Sequence, residues 1–167
     1  MPDLFGGEAV DESAEEDLTE WNSRHPAEEI DRIINVTAKY LREEVGVKRI
    51  GGVGYCFGGK YVPRALAKDH GIDVGFIAHP SYLTESDIQS IANPISIAAG
   101  TLDAAFNATT KVWAEGILES NSVTFQSNLY YAAPHGFAVS VNLSNPQQAY
   151  AKQAAFVQAI TWFDMWL

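Results

Sequence analysis

The sequence has a single cysteine, Cys56, among its 167 residues, so no disulfide can form within the chain. A reducing, intracellular setting is the simpler expectation, and we predict a cytoplasmic protein. The chain also lacks a basic N-terminal segment followed by an apolar run, and no apolar stretch approaches the length needed to cross a bilayer. Neither secretion nor a membrane partner is therefore predicted.

Basic residues are scarce as well, because 11 Lys and Arg stand against 21 Asp and Glu, for a formal net charge of −10. Residues 1–31 hold eleven of the acids and one base, whereas residues 32–167 hold ten of each. Proteins that bind nucleic acids neutralise phosphates with clustered Lys and Arg, and neither segment offers such a cluster. Nucleic acid is therefore not an expected partner. No group of His, Cys and acidic residues has metal-ligand spacing, so neither a metal nor a cofactor is predicted.

The length and the 47% hydrophobic content indicate one packed domain over residues 1–167. We expect residues 1–25 to form an acidic, loop-rich lead-in and residues 26–167 to form the core. Within the lead-in, residues 8–22 are weakly patterned, which is typical of a solvated loop or a short surface helix.

Apolar spacing after the lead-in alternates between helical and strand periodicity. It predicts helices over 27–44, from after the first strand to about residue 68, over 111–118 and over 147–167, and strands over 47–55, 74–78, 94–99 and 123–131. Regular alternation of this kind predicts an α/β fold with a mostly parallel sheet flanked by helices. In such sheets, chemistry gathers beyond the carboxyl ends of the strands.

The segment Gly54-Tyr55-Cys56-Phe57-Gly58-Gly59 lies between a predicted strand and a predicted helix, in the pattern of a nucleophile elbow with Cys in place of Ser. So sharp a turn needs neighbours without side chains, which Gly54 and Gly58 supply. A thiol at a helix N-terminus is also more acidic than a free thiol. Cys56 is thus a candidate nucleophile, and the alternative is a buried cysteine that acts as a small hydrophobe.

A cysteine nucleophile on this scaffold requires an acid and then a base later in the chain. Asp103 follows one predicted strand, and His135 follows the next predicted strand, so both stand in the required order. Taken alone, Asp103 could instead be a helix cap and His135 a loop histidine. His79 also ends a strand and could line the site, but no suitably placed acid accompanies it, and we expect it to bond locally.

The segments GYCFGGKY, AHPS, GTLDAAF and APHGFAV together resemble the dienelactone hydrolase family, especially its fungal members, over almost the whole chain. The resemblance implies an α/β-hydrolase fold, with Cys56, Asp103 and His135 at the positions of the family's Cys-Asp-His triad. It further implies hydrolysis of a small-molecule ester or lactone, as in a carboxymethylenebutenolidase, through an acyl-cysteine intermediate.

Two departures from the family are expected. The resemblance implies an N-terminally truncated fold, without the early strands and without the loop that gives a second oxyanion-hole amide, so the N–H of Phe57 is the remaining donor. The family often places an arginine shortly after the catalytic histidine, whereas this chain has Phe137-Ala138-Val139-Ser140 there. The substrate could therefore be another ester, lactone or thioester.

Two other functions stay open at this point. One is a truncated, catalytically inactive member of the family that acts as a binding or redox-sensitive protein. The other is dinucleotide binding, because Gly52-Val53-Gly54 with Gly58 approximates a glycine-rich turn. That second signal is weak, since His79 and Pro80 occupy the place where a ribose-binding acid should stand. We expect a monomer or a weak homo-oligomer.

Overall fold

The computed structural model describes residues 2–8, 18–68 and 70–167. The chain divides into two compact units, Met1–Lys48 and Arg49–Leu167. Much of the predicted acidic lead-in, residues 9–17, lies outside the described residues. None of the helices in the described parts combines the length and the apolar character that a bilayer span requires.

The first unit contains two helices, α1 (Leu18–Arg24) and α2 (Ala27–Glu43). Helix α2 follows Pro26, and acidic residues occupy its first turn with a basic residue in its last, which complements the helix dipole. The sequence-based prediction of a helix over 27–44 is confirmed to within one residue. The ring of Trp21 in α1 stacks on His25, with ring centroids 4.0 Å apart.

The second unit is built on a four-stranded parallel sheet in the order β1-β2-β3-β4. Its strands and helices are β1 (Gly51–Tyr55), α3 (Gly58–Ala65), β2 (Val74–Ala78), α4 (Glu85–Gln89), β3 (Ile95–Leu102), α5 (Ala108–Ser120), β4 (Phe125–Pro134) and α6 (Pro146–Trp166). The predicted α/β architecture is confirmed. Strand β1 starts four residues later than predicted, and the single-turn helix α4 was not predicted.

Helices pack on both faces of the sheet. On one face, Phe76 and Ala78 of β2 lie in a buried cluster with Ala155 of α6. On the other face, a side chain at Gly75 would meet Leu66, which follows α3, at 2.5 Å. A central strand covered on both faces needs an almost continuous apolar sequence, which is what the segment VGFIA provides.

The register of β1 against β2 determines which residues follow the two strands side by side. Tyr55 pairs with Ala78 at the carboxyl ends of the two strands. The next residues, Cys56 and His79, both have left-handed backbone angles, with φ of 51° and 40°. Both strands thus end in a sharp turn at the carboxyl end of the sheet.

The register of β3 against β4 shifts between Gly100 and Leu102, so that β4 has two additional residues there. After the shift, Leu102 pairs with Pro134. The residues that follow this pair are Asp103 and His135. The irregularity therefore brings the predicted acid and the predicted base to equivalent positions beyond neighbouring strands.

Two glycines make the turn after β1 possible. A Cβ atom on Gly54 would lie 2.3 Å from the carbonyl oxygen of Gly58, and one on Gly59 would lie 2.6 Å from Cβ of Pro80. A Cβ atom on Gly58 would meet nothing within 4 Å beyond its two chain neighbours and the backbone of its own helix. The sequence pattern predicted that Gly54 and Gly58 must lack a side chain. The close contacts are found at Gly54 and Gly59.

We predict that Gly54→Ala lowers the free energy of unfolding by about 1–3 kcal/mol or prevents folding, because backbone atoms cannot move away cheaply. Gly58→Ala is the matched control, and it should leave stability unchanged or raise it slightly, since alanine favours the helix. Urea unfolding followed by far-ultraviolet circular dichroism measures both. Equal losses in the two variants would contradict this account of the turn.

Candidate active site

Both the backbone N–H and the backbone carbonyl of Cys56 form hydrogen bonds. Its N–H donates to the carbonyl of Ala78 at 3.3 Å and to Nδ1 of His79 at 3.2 Å. Its carbonyl accepts from the amides of Gly59 and Ser81, each at 3.0 Å. Left-handed backbone costs a non-glycine residue free energy and persists only where its surroundings enforce it. The four hydrogen bonds provide that enforcement.

The Cys56 side chain is exposed and contacts two polar groups. Sγ lies 3.1 Å from Nε2 of His135 and 3.6 Å from Oγ of Ser81. The exposure is at odds with the small buried hydrophobe that was the alternative interpretation of this cysteine. A polar contact at hydrogen-bond distance to an imidazole is the arrangement that activates a thiol as a nucleophile.

His135 is fixed by a buried carboxylate. Its Nδ1 lies 3.0 Å from both carboxylate oxygens of Asp103, which is 1% exposed. Oδ1 of Asp103 also accepts hydrogen bonds from the amides of Ala105 and Phe106. Asp103 therefore organises its own turn and lies against the imidazole, whereas the cap of the helix that follows, α5, is Asn107, so the interpretation of Asp103 as a helix cap is wrong. With the Nδ1 proton directed at Asp103, Nε2 is left to face the thiol.

The pKa values of Cys56 and His135 move in opposite directions. Partial burial raises the pKa of the Cys56 thiol, but hydrogen bonds from His135 and Ser81, the His135 charge and the Phe57 amide outweigh it and lower that pKa. Burial lowers the pKa of His135, but its hydrogen bonds to Cys56 and Asp103 outweigh burial and raise that pKa. Both shifts favour a thiolate paired with an imidazolium.

His79 is fully buried beneath these groups. Its Nδ1 accepts the Cys56 N–H, so the ring carries its proton on Nε2, which has no hydrogen-bond partner among the described residues. The ring lies 5.2 Å from the ring of His135 and 5.5 Å from that of Phe137. Burial, and then the charge of His135, lower the pKa of His79 to about 4. His79 thus lines the site through a hydrogen bond to the backbone of Cys56, 23 residues earlier, and not through a contact local in the sequence as expected.

The structure places the other sequence-predicted residues as follows. Phe57 is the N-cap of α3, and its backbone amide is among the groups that lower the pKa of Cys56. His70 is exposed. Ser81 was not singled out from the sequence, although its position just after a strand was a usable signal. In residues 2–8, 18–68 and 70–167, no cluster of three or more His, Cys, Asp or Glu side chains could hold a metal ion.

Comparison with known proteins identifies relatives over the whole chain. The sequence matches the profile of the dienelactone hydrolase family over residues 1–167. It is 39% identical to hydrolase pyvD of Aspergillus violaceofuscus and 40% identical to hydrolase tropI of Talaromyces stipitatus, in each case across 100% of this chain and 69% of the relative. A Klebsiella pneumoniae protein solved under the name dienelactone hydrolase superposes with a TM-score of 0.76 at 15% identity, covering 94% of this chain and 71% of that chain. That likeness shows the shared α/β-hydrolase fold.

The buried neutral ring of His79 should make stability fall with acid. Its pKa is about 4 when folded and 6.5 when unfolded, so the unfolded state takes up the proton first as the pH falls between these values. We expect the loss to reach roughly 3 kcal/mol at pH 4, with none above pH 7. His79→Phe keeps a ring without the titration, and its unfolding free energy should decline less between pH 7 and pH 4.5.

Urea unfolding of the parent chain and of His79→Phe at the two pH values measures this difference. His70→Gln is the control, because it alters an exposed histidine and should leave the pH dependence as in the parent. An equal fall in unfolding free energy between the two pH values for the parent and for His79→Phe would contradict a lowered pKa of His79 in the folded state.

Proposed function

Because the chain belongs to the dienelactone hydrolase family, we propose that it hydrolyses carboxylic esters or lactones with Cys56 as the nucleophile. The observation that supports this most is a continuous line of hydrogen bonds. Cys56 Sγ lies 3.1 Å from Nε2 of His135, whose Nδ1 lies 3.0 Å from Asp103. A nucleophile, a base and a group that orients the base are the three parts that acyl transfer requires.

In the proposed first step, the Cys56 thiolate attacks the carbonyl carbon of the substrate, and a tetrahedral intermediate forms. The carbon–oxygen bond to the leaving group then breaks, and the proton on Nε2 of His135 passes to the departing oxygen. The product is an acyl-cysteine thioester together with the free alcohol, or with the tethered hydroxyl of an opened lactone.

In the second step, water attacks the thioester carbonyl while Nε2 of His135 takes up a proton from that water. Collapse of the second tetrahedral intermediate expels the Cys56 sulfur and releases the carboxylic acid. Asp103 keeps the imidazole in the tautomer that both steps need and stabilises its positive charge.

The Phe57 amide is the proposed donor to the oxyanion of both intermediates. It follows Cys56 directly and is the N-cap of helix α3, so its N–H belongs to the positive end of the helix, and it is among the groups that lower the pKa of the Cys56 thiol. An amide fixed in this way stabilises charge as it develops on the carbonyl oxygen.

We propose a small-molecule substrate whose acyl part need not carry a carboxylate. The side chains after His135 are apolar or neutral over Phe137-Ala138-Val139-Ser140, and the ammonium of Lys152 donates to the carbonyl of Val139, so no side chain of this segment itself presents a cation. Val139 is exposed within it. Simple esters such as p-nitrophenyl acetate are therefore suitable probes.

We predict that Cys56→Ala and His135→Gln each reduce the turnover of p-nitrophenyl acetate by at least about a thousandfold, because either change removes a bond-making group. His70→Gln is the matched histidine control and should keep the activity of the parent chain. Turnover that survives Cys56→Ala would contradict the proposal. No turnover by the parent chain would favour the inactive, thiol-bearing member of the family.

Alkylation by iodoacetamide should report the ionisation of Cys56 without any turnover. The chain has one cysteine, so all labelling belongs to this residue. We expect the rate to rise with pH around a midpoint below that of a free thiol, since the His135 contact lowers the pKa of Cys56. In His135→Gln the midpoint should move upward, toward that of N-acetylcysteine measured alongside. A parent midpoint equal to that of N-acetylcysteine would contradict the thiolate–imidazolium pair.

A further inference from the structure

Ser81 contacts both members of the proposed thiolate–imidazolium pair. Its Oγ lies 3.6 Å from Sγ of Cys56 and 3.4 Å from Nε2 of His135. The residue is 8% exposed, so its hydroxyl has little access to water that could replace these contacts. Neither contact was anticipated from the sequence.

The backbone holds the hydroxyl in this position. The amide of Ser81 donates to the carbonyl of Cys56 at 3.0 Å. The preceding Pro80 packs so closely on Gly59 that a methyl group there would lie within 2.7 Å of Pro80 carbon atoms. One residue earlier, His79 accepts the Cys56 N–H. Residues 79–81 are therefore tied to the turn that carries the nucleophile.

A hydroxyl has the right donor and acceptor inventory for a thiolate–imidazolium pair. It carries one proton to donate and two lone pairs to accept with. It can donate to the negative sulfur while it shares, as an acceptor, the one Nε2–H of the imidazolium, which also faces Sγ, and both hydrogen bonds are then charge-assisted. With a neutral thiol and a neutral imidazole, neither partner offers a charge. The contact is thus stronger for the reactive form of the pair than for the resting neutral form.

We propose that Ser81 is a fourth catalytic residue, whose hydroxyl donates to the Cys56 sulfur and accepts from His135 when the ion pair forms. This inference rests on the proposed role of Cys56 as the nucleophile. The hydroxyl forms and breaks no covalent bond and keeps its proton throughout. It shifts the equilibrium between the neutral pair and the ion pair, and thereby the fraction of the chain that can attack a carbonyl.

The test compares Ser81→Ala, Ser81→Thr and Ser144→Ala with the parent chain. Threonine keeps a hydroxyl, and Ser144 is an exposed serine that serves as the matched control. Two measurements are made on each: the pH dependence of Cys56 alkylation by iodoacetamide, and kcat and KM for p-nitrophenyl acetate. Circular dichroism confirms that each variant is folded.

We expect Ser81→Ala to move the alkylation midpoint to higher pH and to slow alkylation below the midpoint about tenfold, the effect of losing one hydrogen bond to a charged group. Its kcat should fall by a similar factor with KM nearly unchanged, because the hydroxyl stabilises the reacting pair and not the bound ester. Ser81→Thr should recover most of both losses, and Ser144→Ala should match the parent.

A folded Ser81→Ala variant with the parent's alkylation midpoint and kcat would overturn the role of Ser81 while leaving Cys56 as the nucleophile. A loss of kcat without any shift of the alkylation midpoint would also overturn it, since that result would indicate a structural effect. Turnover that survives Cys56→Ala would instead overturn the proposed function, and the catalytic role of Ser81 with it.

Discussion

Parallel hydrogen bonding between neighbouring strands is the constraint on which the candidate site depends. The carboxyl ends of parallel strands lie at the same end of the sheet, so residues that follow different strands lie close together there although they are far apart in the chain. Cys56 follows the pair Tyr55 and Ala78 at this end of the sheet, and Asp103 and His135 follow the pair Leu102 and Pro134. The two additional residues of β4 bring His135 level with Asp103, since an uninterrupted register would have paired Leu102 with Ala132.

Burial influences which of the polar side chains at this end of the sheet are charged. Asp103 is buried, yet its carboxylate oxygens have hydrogen-bond partners in two amides and an imidazole. Close to His135 lies His79, whose ring would repel a protonated His135 if it were also charged. Desolvation keeps it neutral. One imidazole can therefore hold a positive charge next to the thiol while a second imidazole, 5.2 Å away between ring centres, serves only as a hydrogen-bond acceptor and packing surface.

The sequence indicates the main elements and the three central residues because both depend on local patterns. Apolar periodicity identifies the strands, and a glycine-flanked cysteine between a strand and a helix indicates its own role. The contacts that remained hidden depend on tertiary register. Nothing local distinguishes Gly58 from Gly59 until Pro80 is seen against the latter. The contacts of Ser81 likewise exist only because β2 lies beside β1.

The positions of Cys56 and His135 at opposite sides of the described sheet have a consequence for dynamics. Cys56 follows β1, the outer strand on one side of the described sheet, and His135 follows β4, the outer strand on the other side. Edge strands can open locally at a lower free-energy cost than the global unfolding of the core. An opening confined to β4 would carry His135 away from the sulfur while β1, β2 and β3 stay paired. The exchange of β4 amide hydrogens would then follow the fraction of time that the Cys56 thiol spends apart from His135.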